Sequence, residues 1–247
     1  MITISQSKNN NYAMRGFAAR IGKSREERMK VETCKSKERV GRYEKEWHLE
    51  ASRKGIVKAT IGAPESFFYP EIAIMKKFLR EPLLDAGCGY GRVLKHFKNI
   101  TGVDISSEML GEAKKTGKKV FKCSITDLHI FPDKTFNGVI CNKVLFHLTD
   151  EDFLKSLREF HRVLRKDGRI FFGVPYIFDL RNFIFNLRGI LHLFRGSVGI
   201  TRTRSYTKRK IISMVKKANF SPVYFDILDY YNRTSGIVVV AEKVGVS

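Results

Sequence analysis

Two carboxylates and a run of glycines stand at a spacing that suits the binding of a nucleoside. Asp85 ends a short apolar stretch and is followed by Gly87, Gly89 and Gly91. This pattern is typical of a turn between a strand and a helix, where the backbone approaches a ligand closely. Asp104 ends the next apolar stretch, nineteen residues after Asp85. An acid at that spacing, at the tip of a second strand, is placed to accept hydrogen bonds from ribose hydroxyls.

Two details separate this turn from one that binds a dinucleotide. A dinucleotide fingerprint needs a third glycine, and Arg92 stands where that glycine belongs. The carboxylate of Asp85 would repel a pyrophosphate, but it suits a cationic group such as an α-amino group or a sulfonium. A ribose that carries a positive, phosphate-free tail describes S-adenosylmethionine and does not describe NAD.

Alternating apolar segments predict how the chain positions these residues. Strands are expected at 82–86, 100–104, 120–123, 136–141 and 169–174, with further strands at 222–228 and 236–241. Helices are expected at 70–80, 90–98, 106–116 and 207–218, and another starts at Asp150 and stops at Gly168. This order predicts an α/β fold with a mostly parallel sheet and helices on both faces. The glycine turn follows the first strand, so it should lie at the carboxyl ends of the strands, where such sheets bind ligands.

Several ordered motifs over residues 70–175 resemble class I S-adenosylmethionine-dependent methyltransferases. The likeness is greatest to the small-molecule group that includes the ubiquinone and menaquinone methyltransferases. The motifs that carry it are residues 83–91, 101–106 with Met109 and Leu110, 131–136, 141–148 and 162–169. The resemblance implies a Rossmann-like sheet of seven strands, with a helical insertion after the fifth.

The resemblance also implies a set of cofactor contacts. The methionine portion would be contacted by Asp85, Ala86, Gly87, Cys88, Gly89 and Gly91, and the ribose by Asp104. One side of the adenine would be contacted by Ile105 and Met109, and the other by Ser124 and Ile125. Asn142 and Lys143 would form the floor of the site. Ser124 departs from the family, which commonly has an aspartate there to contact the adenine amino group.

Methyl transfer from a sulfonium needs little help from side chains, because the leaving group is already activated. A general base is required only if the acceptor must lose a proton in the transition state. His147, just after the fourth strand, is the candidate for that role, and a packing or capping role is an equally good interpretation. Cys88 and Cys141 are interpreted as buried structural residues, and the cysteine spacing predicts no metal site.

The segment outside this alternation concerns the acceptor. Residues 176–205 combine an apolar helical face with Arg181, Arg188 and Arg195, and the whole chain has a formal net charge of +21. The segment is interpreted as a lid over the acceptor, as a contact to an anionic membrane, as a binding surface for RNA phosphates, or as an ordinary packed helix. We expect residues 1–55 to form a basic tail and a helix, and 56–247 to form the methyltransferase domain.

A small-molecule or lipid-like acceptor is the favoured prediction. An RNA methyltransferase that uses the basic tail and the insertion, and a catalytically silent cofactor-binding subunit, are the alternatives. The absence of an apolar run of about 18 residues argues against a membrane span. The predicted location is the cytoplasm, with peripheral attachment to a membrane as a variant of it.

Overall fold

The computed structural model describes residues 38–45, 69–176, 204–230 and 234–245. The chain divides into two units, Met1–Arg42 and Tyr43–Ser247. The predicted tail and helix at 1–55 are described only at 38–45, which are helical. The predicted insertion at 176–205, with its three arginines, lies outside the described residues except for residues 176, 204 and 205.

A seven-stranded sheet organises the second unit. Its strands are β1 (Leu83–Ala86), β2 (Ile100–Asp104), β3 (Lys119–Lys122), β4 (Phe136–Asn142), β5 (Leu164–Pro175), β6 (Phe220–Tyr230) and β7 (Thr234–Lys243). They lie in the order β3-β2-β1-β4-β5-β7-β6. The first five are parallel to their neighbours, while β7 runs antiparallel to both β5 and β6. The predicted mostly parallel seven-stranded sheet is confirmed.

Polar residues begin the helices that cover the sheet. These are α1 (Tyr69–Phe78), α2 (Ser107–Ala113), α3 (Asp150–Val163) and α4 (Lys208–Lys217). The hydroxyls of Ser106, Thr149 and Thr207 accept hydrogen bonds from backbone N–H groups in the first turns of α2, α3 and α4. Such caps satisfy N–H groups that the helix itself leaves without a carbonyl. Within the described ranges, no helix is both long and apolar enough to cross a membrane.

One predicted helix does not form. Residues 90–98 are a series of turns with a single 3-10 segment, Leu94–His96. Gly91 has a φ of +86°, in the left-handed region, so a right-handed helix cannot continue through it. The residues that remain before β2 form turns and this 3-10 segment instead. Their apolar side chains are buried nevertheless, Leu94 completely.

The core has two layers, one on each face of the sheet. On one face, Phe153 of α3 and Ile211 of α4 pack with residues such as Val139 and Phe172. On the other face, Met75 of α1 packs with Leu83, Ile140 and Phe171. Neighbouring residues of β4 and β5 therefore enter opposite layers, as the alternation of side chains along a strand requires. The predicted placement of helices on both faces is confirmed.

The two edges of the sheet differ. Strand β3 has four residues, and Lys119 and Lys122 at its ends are exposed, as is the ring of Phe121. Strand β6 has eleven residues and an irregularity in its pairing with β7 between Pro222 and Tyr224. Proline is tolerated at such a position because an edge strand has a row of N–H groups without a neighbouring strand.

Arg162 fixes the loop between β3 and β4 to helix α3. Its guanidinium donates hydrogen bonds to the carbonyl oxygens of Leu128 and Phe131, each at 2.9 Å. It also pairs with Asp133 at 2.8 Å and with Glu159 at 2.9 Å. The planar guanidinium, with its five N–H donors, therefore contacts two carbonyls and two carboxylates at once, which a lysine ammonium could not do.

Replacing this guanidinium should destabilise the fold. We expect Arg162→Lys to lower the free energy of unfolding by about 1 to 3 kcal/mol, because two backbone carbonyls lose their donors. Arg165→Lys is the matched control, since Arg165 makes only long contacts of 3.3 and 3.5 Å at the surface; its effect should stay within about 0.5 kcal/mol. Urea denaturation measures both. Equal effects of the two substitutions would contradict this account.

Candidate cofactor site

The sequence-predicted site residues meet at one edge of the sheet. Because β1 to β4 are parallel, the segments that follow them all lie at their carboxyl ends, and chain order reverses between β1 and β4. The structure brings the predicted residues to this edge in four segments: 85–91 after β1, 104–109 after β2, 124–125 after β3 and 142–143 after β4.

The glycine turn is held in a left-handed conformation. Gly87, Gly89 and Gly91 have φ values of +85°, +53° and +86°. The N–H groups of Gly87 and Cys88 both donate to the carbonyl oxygen of Val103, at 2.8 and 2.9 Å. The turn therefore folds back onto the end of β2, and its conformation is one that a residue with a side chain rarely adopts.

The three glycines serve different purposes. A Cβ on Gly87 would come within 2.5 Å of the Val144 side chain, and one on Gly91 within 3.0 Å of the Cα of Ala113. Close packing explains these two glycines. A Cβ on Gly89 would meet nothing within 4 Å. The space beside Gly89 is therefore open to a ligand, as a cofactor turn requires.

Asp104 links the turn to the start of α2. One carboxylate oxygen accepts a hydrogen bond from the N–H of Gly89 at 2.9 Å, and the other accepts one from the N–H of Ser106 at 2.9 Å. Burial raises the pKa of Asp104, and the hydrogen bonds from these N–H groups oppose that shift. Ile105 is half-buried beside it, and Met109 is buried.

Asp85 is a buried carboxyl group, one oxygen of which lacks a donor among the described residues. Only 2% of the residue is exposed, and its Oδ2 has no hydrogen-bond partner within the described ranges. Burial raises the pKa of Asp85 to about 7, and the charge of Asp104 adds to the rise, while Arg92 opposes it. A group in this state favours a cation beside it, because a cation stabilises the charged form.

Glu71 joins the site, and sequence reasoning missed it. It lies on α1 and is fully buried, with Oε2 accepting a hydrogen bond from Asn142 Nδ2 at 2.6 Å and Oε1 lying 3.6 Å from Lys143 Nζ. An acid in the first turn of a helix is ordinary in a sequence, so no signal marked it. Burial lowers the pKa of Lys143, and the charge of Glu71 opposes that shift.

The contact with Glu71 sets the orientation of the Asn142 amide. Because Nδ2 faces Glu71, Oδ1 faces Gly173 on β5, where an added Cβ would lie only 2.8 Å away. This Oδ1 is buried and has no hydrogen-bond partner in the part of the chain that the structure describes. Asn142 and Asp85 thus supply two buried oxygens without donors, at the ends of adjacent strands.

The hydroxyl of Ser124 stabilises its own turn. It accepts a hydrogen bond from the N–H of Thr126 at 3.2 Å and lies 2.9 Å from the Thr126 hydroxyl. Ile125 is buried behind it. A serine therefore suffices for the local turn, although it lacks the carboxylate that the family commonly has at this position.

His147 lies in a 3-10 turn, Leu145–His147, after β4 and is stacked near the Phe146 ring, with 4.1 Å between centroids. Burial lowers the pKa of His147 to about 4, so the imidazole is neutral at neutral pH and only weakly basic. Burial raises the pKa of Cys88 and Cys141 well above the ordinary range of a thiol. Both thiols stay protonated, which agrees with their interpretation as structural residues.

Residues 84–172 match the family model described as a methyltransferase domain. The predicted class I methyltransferase domain is confirmed over that range. An uncharacterized protein of Methanocaldococcus jannaschii is 35% identical over 99 residues, which cover 40% of this chain and 39% of that protein. The chain spans 39%, 51% and 53% of the lengths of three relatives from this organism.

Two named methyltransferases are also similar. The N-terminal Xaa-Pro-Lys N-methyltransferase 1 of Danio rerio is 26% identical over 164 residues, covering 57% of this chain and 73% of that protein. Magnesium protoporphyrin IX methyltransferase from Synechocystis PCC 6803, solved with bound SAH, superimposes with a TM-score of 0.57 at 18% identity, over 72% of this chain and 83% of that one. The second likeness shows a shared fold.

The buried carboxyl of Asp85 should cost stability at high pH. Its pKa is about 7 in the folded chain against an ordinary value of 3.8, so ionisation weakens the fold progressively between these values. We expect the free energy of unfolding of Asp85→Asn to exceed that of the native chain by about 2 to 4 kcal/mol near pH 8.5. Near pH 5 this difference should be smaller by about 2 kcal/mol. Urea denaturation at both pH values tests this. A gap between the two proteins that does not change with pH would contradict the buried carboxyl.

The charge of Glu71 should control the reactivity of Lys143. Glu71→Gln removes the anion beside the ammonium, so the pKa of Lys143 should fall further and more of the amine should be neutral at a given pH. We expect severalfold faster acetylation of Lys143, measured by mass spectrometry over a pH series. Glu112→Gln is the control, because Glu112 pairs with the exposed Lys115. Unchanged labelling of Lys143 in Glu71→Gln would show that the pair does not matter.

Proposed function

We propose that this chain, which carries a methyltransferase domain in residues 84–172, binds S-adenosylmethionine at the carboxyl edge of its sheet and methylates a small-molecule or lipid-like acceptor. One observation carries the proposal. Asp85 Oδ2, a buried oxygen without a donor among the described residues, comes just before a left-handed glycine turn with open space at Gly89. A ligand with an ammonium group would supply the missing donor.

The residues at this edge fit the cofactor. Asp85 would accept hydrogen bonds from its ammonium group, and Asp104 would accept them from the ribose hydroxyls. Ile105 and Met109 would supply apolar contacts to the adenine. The fit supports a zwitterionic nucleoside and disfavours a pyrophosphate, which two acids would repel.

The chemistry asks little of the protein's acids and bases. When bound, S-adenosylmethionine supplies a methyl group on a sulfonium, which leaves without further activation. The chain's task is to position the acceptor and to exclude water. His147 is a poor proton acceptor because its pKa is about 4. The low pKa therefore favours the packing interpretation of His147 over that of a general base.

A cavity of suitable size supports the acceptor class. It has a volume of about 580 Å³ and is lined by residues of the α3 and α4 N-termini and of the segment between β5 and α4. Pockets for small molecules commonly have volumes of about 300 to 1,000 Å³. The apolar face that the sequence predicts at 176–205 immediately precedes this segment and would suit a lipid-like acceptor.

A protein N-terminus is the second candidate acceptor. The likeness to the Danio rerio N-terminal N-methyltransferase favours it. Methyl incorporation into a peptide that begins Xaa-Pro-Lys, and none into small molecules, would establish this alternative. RNA binding with a steep salt dependence would favour the RNA alternative, and the lack of transfer to any acceptor would favour the silent subunit.

Cofactor binding should release a proton. Because the pKa of Asp85 is about 7 and a cation favours the charged carboxylate, the affinity for S-adenosylhomocysteine should fall about tenfold per pH unit below pH 7 and level off above it. Calorimetry in two buffers of different ionisation enthalpy should detect the proton. Asp85→Asn should lose the pH dependence.

The same calorimetry tests the ribose contact. Asp104→Ala should weaken binding by about 10-fold to 100-fold, through the loss of hydrogen bonds to a charged acceptor and of the Gly89 contact. Glu112→Ala, which changes an acid on the surface of α2, should bind as the native chain does. Failure of the native chain to bind, or unchanged binding by Asp104→Ala, would reject the proposed site.

A further inference from the structure

The cavity beside α4, here called the α4 cavity, lies at the same edge of the sheet as the candidate cofactor site. Its lining residues are Asp150, Arg204, Ser205, Tyr206, Thr207 and Lys210. The N–H of Tyr206 donates to the carbonyl of Pro175, the last residue of β5, at 3.1 Å. The N–H of Arg204 donates to the carbonyl of Phe146, next to His147, at 3.0 Å. The cavity therefore adjoins the carboxyl ends of β4 and β5, the edge of the sheet that carries the candidate cofactor site.

Positive charge predominates in the α4 cavity. Arg204 and Lys210 are cations, and Asp150, which pairs with Lys210 at 2.8 Å, is the one acid among the described lining residues. The first turn of α4 is Lys208-Arg209-Lys210 and contains no acid. Cations at a helix N-terminus oppose the helix dipole, and Asp150 offsets the charge of Lys210 alone.

Tyr206 supplies a second and independent indication of a ligand. The residue is 4% exposed, and its hydroxyl is buried with no hydrogen-bond partner in the ranges that the structure covers. Burial, together with the charge of Asp150, raises the pKa of Tyr206 to about 12, so the group remains an O–H donor at neutral pH. A buried donor without an acceptor costs about 1 to 3 kcal/mol, which a bound acceptor atom would recover.

We propose that the α4 cavity binds an anionic group of the methyl acceptor, a phosphate or a carboxylate, through Arg204, Lys210 and the hydroxyl of Tyr206. The identity of the ligand as the acceptor rests on the proposed methyl transfer; the anion site itself does not. The Arg204 guanidinium donates one bond to the carbonyl of Leu148, which fixes it at the cavity, and its other N–H groups form the planar array that oxyanions accept.

The bound anion would compete with Asp150 for Lys210. The ion pair between them is half-exposed on both sides and therefore contributes little to stability. An anion bound in the cavity would be attracted by both Lys210 and Arg204, which line it. Lys208 does not take part, because its ammonium lies 4.6 Å from the centre of the Phe225 ring.

Equilibrium dialysis of the full chain against radiolabelled inorganic phosphate, at constant ionic strength, tests the site. We expect Lys210→Met and Tyr206→Phe each to weaken phosphate binding about fivefold or more, the equivalent of losing one hydrogen bond. Lys216→Met changes an exposed lysine in the last turn of the same helix and should bind as the native chain does. Because the Tyr206 hydroxyl has no partner among the described residues, Tyr206→Phe should not lower the melting temperature.

The outcomes separate this proposal from the proposed function. The α4 site is overturned if phosphate does not bind, even if S-adenosylhomocysteine does. It is also overturned if all four proteins bind phosphate equally, because that would be a nonspecific response to net charge. Weaker phosphate binding by both variants supports the site even if S-adenosylhomocysteine does not bind. If the native chain co-sediments with phosphatidylglycerol vesicles and Lys210→Met does not, the anion is a lipid headgroup. If the native chain binds phosphate but does not co-sediment with the vesicles, the anion is a soluble phosphate.

Discussion

The carboxylate of Asp104 holds two turns in place, and the candidate site depends on both. One oxygen fixes the glycine turn through Gly89, and the other fixes the start of α2 through Ser106. Each carboxylate oxygen has a second lone pair, so the group that shapes the loops can also serve a ligand. The ligand would therefore meet an acceptor that the backbone has already oriented, which lowers the entropy lost on binding.

Two acids are buried at this edge at a cost to the fold. Asp85 has a carboxylate oxygen without a donor, and Glu71 is held away from water by contacts to Asn142 and Lys143. Burial of a charge is unfavourable unless it is paired. The pattern fits a site whose ligand completes the pairing, since a carboxamide at position 85 would satisfy the fold better than the acid does.

Local patterns account for what the sequence predicts well. The strands and the glycine turn follow from short apolar segments and from glycines at fixed positions, and both are present. The helix expected at 90–98 fails because Gly91 takes a left-handed φ that periodicity does not reveal. Glu71 cannot be predicted locally, because its partner Asn142 is 71 residues away and only the parallel sheet brings them together. The buried hydroxyl of Tyr206 likewise depends on the junction of β5 and α4.

The short edge strand β3 has a consequence for how the protein behaves among copies of itself. An open strand edge invites hydrogen bonding to a strand of another molecule, which is a route to aggregation. A second copy of β3 that approached this edge would bring its own Lys119 and Lys122 against those already there. Repulsion that involves Lys119, and the presence of only four residues of backbone, would oppose such pairing, while Lys122 already forms an ion pair with Glu44.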